Sequence, residues 1–134
     1  MPDLTVTPAA ISGARAYAQA GLGPADIDVA ELYDSFTYTV LVTLEDLGFC
    51  GKGDGGEFVS GQRTAPGGDF PLNTSGGGLS YTHPGMFGIF LLIEAVRQLR
   101  GECGDRQAGT PEVALVNGMG GYLSSAATVI LARV

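Results

Sequence analysis

Residues 73–88 read NTSGGGLSYTHPGMFG, and this stretch leads from a glycine run to the only histidine of the chain, His83. Three consecutive glycines permit backbone angles that other residues avoid, and they let a ligand approach the main chain. These candidate cofactor-binding glycines are Gly76, Gly77 and Gly78. Pro84 suits the first turn of a helix, where free N–H groups attract negative charge. The stretch therefore predicts a tight loop that delivers Tyr81 and His83 to the start of a buried helix.

The size and composition of the chain predict one domain over residues 1–134. A formal charge of −7 disfavours nucleic acid and anionic membranes as partners. Cys50 and Cys103 lack metal-binding or redox spacing, so we expect reduced thiols and no metal site. No basic and then apolar segment follows Met1, and no apolar run reaches the ~18 residues of a membrane span. We therefore expect a cytoplasmic protein.

Local signals predict the order helix, strand, helix, long loop, helix, strand, strand, which is an α/β fold with a mixed sheet. The predicted helices run from an N-cap at Thr7 to Gly21 or Gly23, from residue 36 to 47 behind a cap at Ser35, and from Pro84 to Arg100. The predicted strands cover residues 27–33, 112–117 and 122–134, and a turn at 118–121 makes the last two antiparallel. Spaced aromatic residues predict that the loop over residues 48–84 is ordered.

The second and third predicted helices are apolar around most of their circumference. A helix that covers one face of a single sheet keeps a polar stripe towards water, and these two helices have little of it. The pattern predicts that a second sheet, from a partner chain or a missing half, covers them.

Three motifs in order resemble the C-terminal half of the thiolase superfamily, over about residues 8–131. Residues 33–36, Tyr-Asp-Ser-Phe, stand where thiolases have Asn-Glu-Ala-Phe and sterol-carrier-protein thiolases have His-Asp-Cys-Phe. Residues 73–88 resemble the thiolase pattern Asn-x-x-Gly-Gly followed by Gly-His-Pro, and residues 117–121 stand where thiolases have Cys-x-Gly-Gly-Gly. The resemblance implies a thiolase-like C-terminal half that requires a complementary N-terminal half, so we expect little activity from the chain alone.

The departures from the thiolase pattern resemble the actinobacterial thiolase-like lipid-transfer-protein aldolases of steroid side-chain degradation. Residues 117–122 contain no thiol, Ser35 replaces the cysteine of the sterol-carrier motif, and Thr82 precedes His83 in place of glycine. That family implies retro-aldol cleavage of a β-hydroxyacyl-CoA steroid, which releases propionyl-CoA and a 17-keto steroid. It also implies a homodimer, a partner with an OB-fold and a zinc ribbon, and a CoA thioester as substrate with no bound cofactor.

Retro-aldol cleavage forms no acyl-enzyme, but it needs a base for the substrate hydroxyl, donors for the thioester enolate and an acid. Tyr33 and Tyr81 are the proposed acid/base pair, and His83 is the proposed donor to the thioester oxygen. The proposed oxyanion or positioning residues are Asn117, Gly120, Ser35 and Asp34. Each tyrosine can instead be a core residue bonded to a carbonyl, Ser35 a helix cap, and Asp34 structural.

Two other functions remain open from the sequence. An acyltransferase of the thiolase class would need a cysteine from the missing half, because this chain has none in the motif positions. A thiolase-fold module that only binds lipid or a partner would need neither phenols nor histidine.

Overall fold

The computed structural model describes residues 3–134. The helices within this range are α1 (Ala9–Ala20), α2 (Thr37–Asp46), α3 (Gly55–Phe58), α4 (Gly77–Ser80) and α5 (Gly88–Arg100). The strands are β1 (Val29–Leu32), β2 (Val113–Gly120) and β3 (Ser125–Ala132). Short 3-10 turns occupy Pro24–Asp26, Ser60–Gln62 and Gly104–Arg106. The predicted α/β order is confirmed, and no helix in residues 3–134 is long and apolar enough to span a membrane.

The three strands form one mixed sheet in the order β1-β2-β3. β1 runs parallel to β2, with Val29 opposite Ala114, and β2 runs antiparallel to β3, with Leu115 opposite Ile130. The predicted antiparallel arrangement of the last two strands is confirmed. β2 is the central strand. Because β1 and β2 are parallel, the C-terminal end of β1 lies at the same end of the sheet as the turn of the β2–β3 hairpin.

Two apolar clusters fill the space on either side of the sheet. α1 and α2 cover one face, whose cluster consists of Ala9, Ile27, Ala30, Leu32, Leu44, Leu47, Phe58, Phe70 and Leu115. α5 covers the other face, whose cluster consists of Val29, Phe87, Leu91, Ala95, Leu99, Ala114 and Val116. Neighbouring strand residues such as Val29 and Ala30 belong to different clusters, because successive strand side chains point to opposite faces.

The long loop is ordered, as predicted. Phe70 packs edge-on against Phe49 and Phe58, with ring centroids 4.8 and 5.2 Å apart. Phe58 and Phe70 belong to the α1-side cluster, so these aromatic contacts tie the loop to the core and explain how a connection of this length stays compact.

Three local predictions were wrong. α5 begins at Gly88 and a turn occupies residues 85–87, so Pro84 precedes the helix instead of lying in its first turn. The hydrogen-bond ladder of β2 continues to Gly120 opposite Ser125, which moves the turn from residues 118–121 to 121–124. Ser35 does not cap α2, because its hydroxyl lies 3.0 Å from that of Thr39.

The ends of α1 follow the sequence signals. The Thr7 hydroxyl accepts the N–H of Ala9, the first residue of α1, at 3.2 Å, which is a capping bond from two residues before the helix. Gly21 ends the helix in the left-handed conformation that favours glycine, with its N–H donating to the carbonyl of Tyr17.

Within residues 3–134, α5 is buried on one side only. Leu91, Ala95 and Leu99 pack on the sheet. Ile89, Phe90 and Ile93, which we call the apolar face, are 53, 52 and 48% exposed. The sequence predicted burial on all sides by a second sheet, and residues 3–134 form only one sheet. No element of residues 3–134 covers the apolar face, so the predicted second sheet stays a prediction.

Candidate active site

Tyr33 directly follows β1 and adds one backbone hydrogen bond to the pairing of β1 with β2. Its N–H donates to the carbonyl of Asn117 at 2.9 Å, which fixes the backbone against β2. Its side chain lies on the α5 face of the sheet, where the ring centroid is 6.4 Å from that of Phe87. The ring is half-buried, so the phenol is held by packing while its hydroxyl stays accessible.

His83 lies in the extended segment between α4 and the turn before α5. Its Nε2 is 2.5 Å from the hydroxyl of Tyr33, and the two ring centroids are 5.8 Å apart. Either group can donate, depending on the tautomer of the imidazole. The imidazole is exposed, so this pair joins a phenol, an imidazole and solvent in one chain of proton-carrying groups.

An open cleft of about 370 Å³ begins at Tyr33. Its walls come from the segment that precedes α5 and from the end of the β2–β3 hairpin. The lining residues that bear on the chemistry are Tyr33, Met86, Phe87, Gly118 and Gly120. Gly120 lines the same cleft as Tyr33, whereas its predicted oxyanion role stays a prediction. Tyr122, on the hairpin turn next to this cleft, is 97% exposed and was not selected from the sequence.

Asp34 holds the glycine loop in place through hydrogen bonds to its main chain. Its buried carboxylate accepts the N–H of Gly78 at 2.8 Å and that of Leu79 at 3.2 Å. Gly77 has φ +65°, and a Cβ there would lie 2.2 Å from Oδ2 of Asp34. The glycines thus make room for an internal carboxylate, and two of the loop N–H groups are already used. A cofactor-binding role for Gly76, Gly77 and Gly78 stays a prediction.

Three predicted site residues are not brought to the Tyr33–His83 pair. The Asn117 amide donates to the hydroxyl of Thr128 at 2.8 Å on the α1 side of the sheet, two residues from Leu115 of the α1 cluster. Ser35 is occupied with Thr39. Tyr81 is 69% exposed and donates its hydroxyl to the carbonyl of Ser75. Of the larger predicted set, the structure brings Tyr33 and His83 into direct contact, and the catalytic roles of all these residues stay predictions.

Neither cysteine lies at this cleft. Cys103 follows the C-terminal end of α5, and a 13-residue helix separates the two ends by about 20 Å. Cys50 packs against the cluster on the α1 side. Burial raises the pKa of both thiols, which lowers the fraction of nucleophilic thiolate.

A buried polar network beside the site was missed by the sequence reasoning. It consists of Glu31, Thr74, Glu94, Gln98 and Arg106. Its one sequence signal is Glu31, a charged residue inside a short apolar strand. Desolvation raises the pKa of Glu31 to about 8, although hydrogen bonds from Thr74 oppose this shift.

Desolvation also raises the pKa of Glu94, but hydrogen bonds from Arg106 and Thr74 outweigh it and the net shift is downward. Arg106 binds this carboxylate through Nε at 2.9 Å and Nη2 at 3.0 Å. The network therefore holds two buried carboxyl groups, of which only Glu94 has a cation.

A family model described as thiolase C-terminal domain-like matches residues 1–133. The chain is 41% identical over 133 residues to an acetyl-CoA acetyltransferase of Methanothermobacter thermautotrophicus, covering 98% of this chain and 35% of that protein. It is 46% identical over 110 residues to the 17-hydroxy-3-oxo-4-pregnene-20-carboxyl-CoA lyase of Mycobacterium tuberculosis, covering 81% of this chain and 28% of the lyase. A steroid side-chain-cleaving aldolase of Thermomonospora curvata is 44% identical over 110 residues, covering 81% and 27% of the two chains.

A solved structure titled Ltp2-ChsH2(DUF35) aldolase superposes with a TM-score of 0.85 at 38% identity. The match covers 99% of this chain and 34% of that chain. The chain thus spans about a third of the length of these relatives.

Proposed function

Because this chain belongs to the thiolase C-terminal domain-like family, we propose that it forms the C-terminal part of a thiolase-like aldolase, a carbon–carbon lyase of CoA thioesters. The observation that carries the proposal is the 2.5 Å contact between Tyr33 and His83 beside a cleft that neither thiol of the chain reaches. Relatives named as an aldolase and as a carboxyl-CoA lyase support the same reaction class.

The proposed substrate is a β-hydroxyacyl-CoA borne on a steroid ring. A base removes the proton of the β-hydroxyl, the bond between the α and β carbons breaks, and its electrons form the thioester enolate. Protonation of the α carbon then gives propionyl-CoA, while the ring keeps a 17-keto group. The proton that leaves the hydroxyl balances the proton gained by carbon, so no oxidant or reductant is needed.

We assign this proton exchange to Tyr33 and His83. One group accepts the hydroxyl proton while the other donates towards the thioester side, and their direct contact lets the proton pass between them. Gly120 lines the same cleft and is the proposed main-chain neighbour of the thioester oxygen. Asp34 acts as a positioning residue, because it holds the loop that brings His83 to Tyr33.

The sequence predicted Tyr81 as a member of the acid/base pair. Its hydroxyl donates to the carbonyl of Ser75, so this role requires a loop conformation in which that hydrogen bond is broken. The Tyr81→Phe variant decides this point. A loss of orders of magnitude in turnover requires a proton-transfer role, whereas a change below about tenfold makes the tyrosine structural.

The proposed partner of this chain is a complementary N-terminal half. Such a half would cover the apolar face of α5 and supply cations for the CoA phosphates, since this chain carries a formal charge of −7. A homodimer and a partner with an OB-fold and zinc ribbon follow from the family resemblance. The solved relative carries a title that names two proteins.

The test of function uses the chain assembled with its complementary half. The complex is mixed with a 17-hydroxy steroid whose side chain is a β-hydroxyacyl-CoA, and the products are separated by mass. We expect equal amounts of a 17-keto steroid and propionyl-CoA. Recovery of unchanged substrate would contradict the proposal.

A second candidate is thiolase-type acyl transfer, which the similarity to an acetyl-CoA acetyltransferase favours. That reaction needs a cysteine supplied by the complementary half. Intact-mass measurement after mixing with acetyl-CoA separates the two functions, because only the acyltransferase gains a covalent acetyl group. A stable acyl-enzyme would favour this candidate over the lyase.

A further inference from the structure

We propose that Glu31 is a positioning residue that works as a neutral carboxylic acid, donating a hydrogen bond to Thr74 and so fixing the loop that carries His83 against Tyr33. The role of the loop in catalysis rests on the proposed function. The protonation of Glu31 rests on hydrogen-bond geometry and burial, and it is independent of the proposed function.

The geometry centres on the hydroxyl of Thr74, which has three polar neighbours. Oε1 of Glu31, Oε1 of Glu94 and Nε2 of Gln98 all lie 2.8 Å from its oxygen. A hydroxyl offers one proton and two acceptor sites. Two of the three neighbours must therefore donate to it.

Gln98 is one of the two donors. Its Oε1 accepts the N–H of Ala108 at 2.9 Å, and a backbone N–H can only donate. That bond fixes which end of the amide is oxygen, so Nε2 points to Thr74. One acceptor site of the hydroxyl is thereby used.

Glu94 cannot be the second donor while it keeps its cation. Arg106 binds both of its oxygens, at 2.9 and 3.0 Å, and such a bidentate pair stabilises the carboxylate. The proton of Thr74 therefore goes to Glu94. The second donor to Thr74 is then the carboxyl group of Glu31.

The surroundings of Glu31 agree with a neutral acid. The residue is fully buried, and no cationic nitrogen in residues 3–134 forms a salt bridge with it. Its Oε2 has no hydrogen-bond partner in the same range, which is a smaller cost for a neutral carbonyl oxygen than for a charged one. Val116 lies opposite on β2, Glu94 faces Glu31 from α5, and Asp34 lies two residues after the end of β1. Both acidic neighbours raise the pKa of Glu31 further.

The position of Glu31 links it to the reacting pair. It lies two residues before Tyr33, so both side chains are on the α5 face of β1. Oε1 of Glu31 also accepts the N–H of Thr74 at 3.2 Å, and the neighbouring Asn73 bonds the main chain of Leu32 at 2.7 and 2.9 Å. Together with Asp34, these bonds fasten the loop to the strand end that presents Tyr33 to His83.

The first experiment measures the proton directly. Infrared difference spectra of the assembled protein at pH 7 compare the wild type with Glu31→Gln. We expect the carbonyl band of a protonated carboxylic acid in the wild type and its loss in the variant. Absence of that band in the wild type would overturn the proposal, whether or not the protein proves to be a lyase.

The second experiment measures turnover of the proposed β-hydroxyacyl-CoA steroid, to decide whether the enzyme needs the Glu31 carboxyl group in its charged or its neutral form. Gln is neutral and can donate from the same place, so Glu31→Gln should keep kcat/KM within about threefold. Glu31→Ala should lower kcat about 10- to 100-fold, as expected when a catalytic group shifts by about 1 Å. Equal losses in the Gln and Ala variants would show that a charged carboxylate is required and would contradict the proposal.

The third experiment removes the other half of the contact. Thr74→Val replaces the hydroxyl by a methyl group of similar size. Glu31 should stay protonated in this more apolar site, so we expect its infrared band to persist at a higher frequency, together with an about tenfold fall in kcat. The control is Thr43→Val, because Thr43 is also a threonine inside the fold, and its hydroxyl has no partner within residues 3–134. If Thr74→Val left both readouts unchanged, the proposed donation to Thr74 would be wrong. A wild-type band with no lyase activity would support the protonated Glu31 and reject only the proposed function.

Discussion

The hydroxyl of Tyr33 lies 2.5 Å from Nε2 of His83, although 50 positions separate the two residues. β1 and its end make this possible, because Leu32 and Asp34 on either side of Tyr33 bind the glycine loop through Asn73 and Gly78. The strand that presents the phenol thus also fixes the loop that presents the imidazole. Damage to these anchors should disturb the pair without touching either ring.

The glycine loop offers the first test of this dependence. Gly77→Ala should destabilise the assembled protein by about 2–4 kcal/mol, because φ is +65° and the new Cβ would lie 2.2 Å from Asp34. Urea unfolding measures the change, and kcat should fall with it. Gly56→Ala is the control, since nothing lies within 4 Å of a Cβ there, and a change of about 0.5–1 kcal/mol in favour of folding is expected. Similar effects at both glycines would contradict the anchoring role of Asp34.

Stability should depend on pH through Glu31. Burial raises the pKa of this carboxyl group from 4.5 to about 8, so the folded state keeps a proton that the unfolded state has released. Between these two values the folded state binds more protons, and stability must fall as pH rises. The Glu31→Gln variant lacks this pH-dependent contribution. Its free energy of unfolding should therefore rise relative to that of the wild type as the pH increases from 5 to 8.

Urea midpoints of the assembled protein at several pH values measure this difference. Asp3→Asn, at an exposed carboxyl group whose pKa is lowered by hydrogen bonds from Thr5, provides a control with the opposite sign of shift. A pH-independent difference between the wild type and Glu31→Gln would mean that Glu31 is charged when folded.

The apolar face of α5 should be the site of assembly with the complementary half. Ile93→Asp puts a charge on this face and should weaken assembly by at least about tenfold, which corresponds to about 1.4 kcal/mol. Analytical ultracentrifugation of the two halves measures the dissociation constant. Ile11→Asp is the control, because Ile11 is also exposed but lies on α1, which covers the opposite face of the sheet. Equal weakening by both substitutions would argue against this face.

The two thiols should be dispensable for the reaction. Cys50→Ala and Cys103→Ala should change turnover by less than about threefold, because neither residue reaches the cleft. Cys103 is buried, so its removal should cost about 1 kcal/mol of stability, which thermal unfolding can detect. A loss of activity by orders of magnitude, with the fold intact, would indicate a nucleophilic thiol in this chain.

The order of helices and strands followed from the sequence, because the apolar periodicity and turn residues are local signals. The sequence predicted that Tyr33 and His83 belong to the same site, but it did not predict their direct contact. The positions of both residues came from motif resemblance, whereas their distance depends on how Asn73 and Asp34 hold the loop.

The errors have physical causes that local patterns do not contain. Glycine and asparagine at residues 117–121 resemble a turn, but pairing with β3 keeps this segment extended, and the strand register directs Asn117 to the α1 side. Glu31, Thr74 and Arg106 are far apart in sequence. The hydrogen-bond network that joins them through Glu94 is therefore visible only in the folded structure. The sequence predicted a cover for α5, because a helix without a polar stripe is costly in water, and this cover stays a prediction.

The central claim is that Tyr33 exchanges the substrate proton with His83, and one variant tests it most directly. Tyr33→Phe keeps the ring that packs on Phe87 and removes only the hydroxyl. Single-turnover release of the 17-keto steroid by the assembled protein should fall by about 10²–10⁴ with unchanged thermal stability. Tyr17→Phe, which removes a hydroxyl bonded to the carbonyl of Leu47 on the other side of the sheet, should leave turnover intact. A Tyr33→Phe enzyme that cleaves the substrate within about threefold of the wild-type rate would contradict the claim.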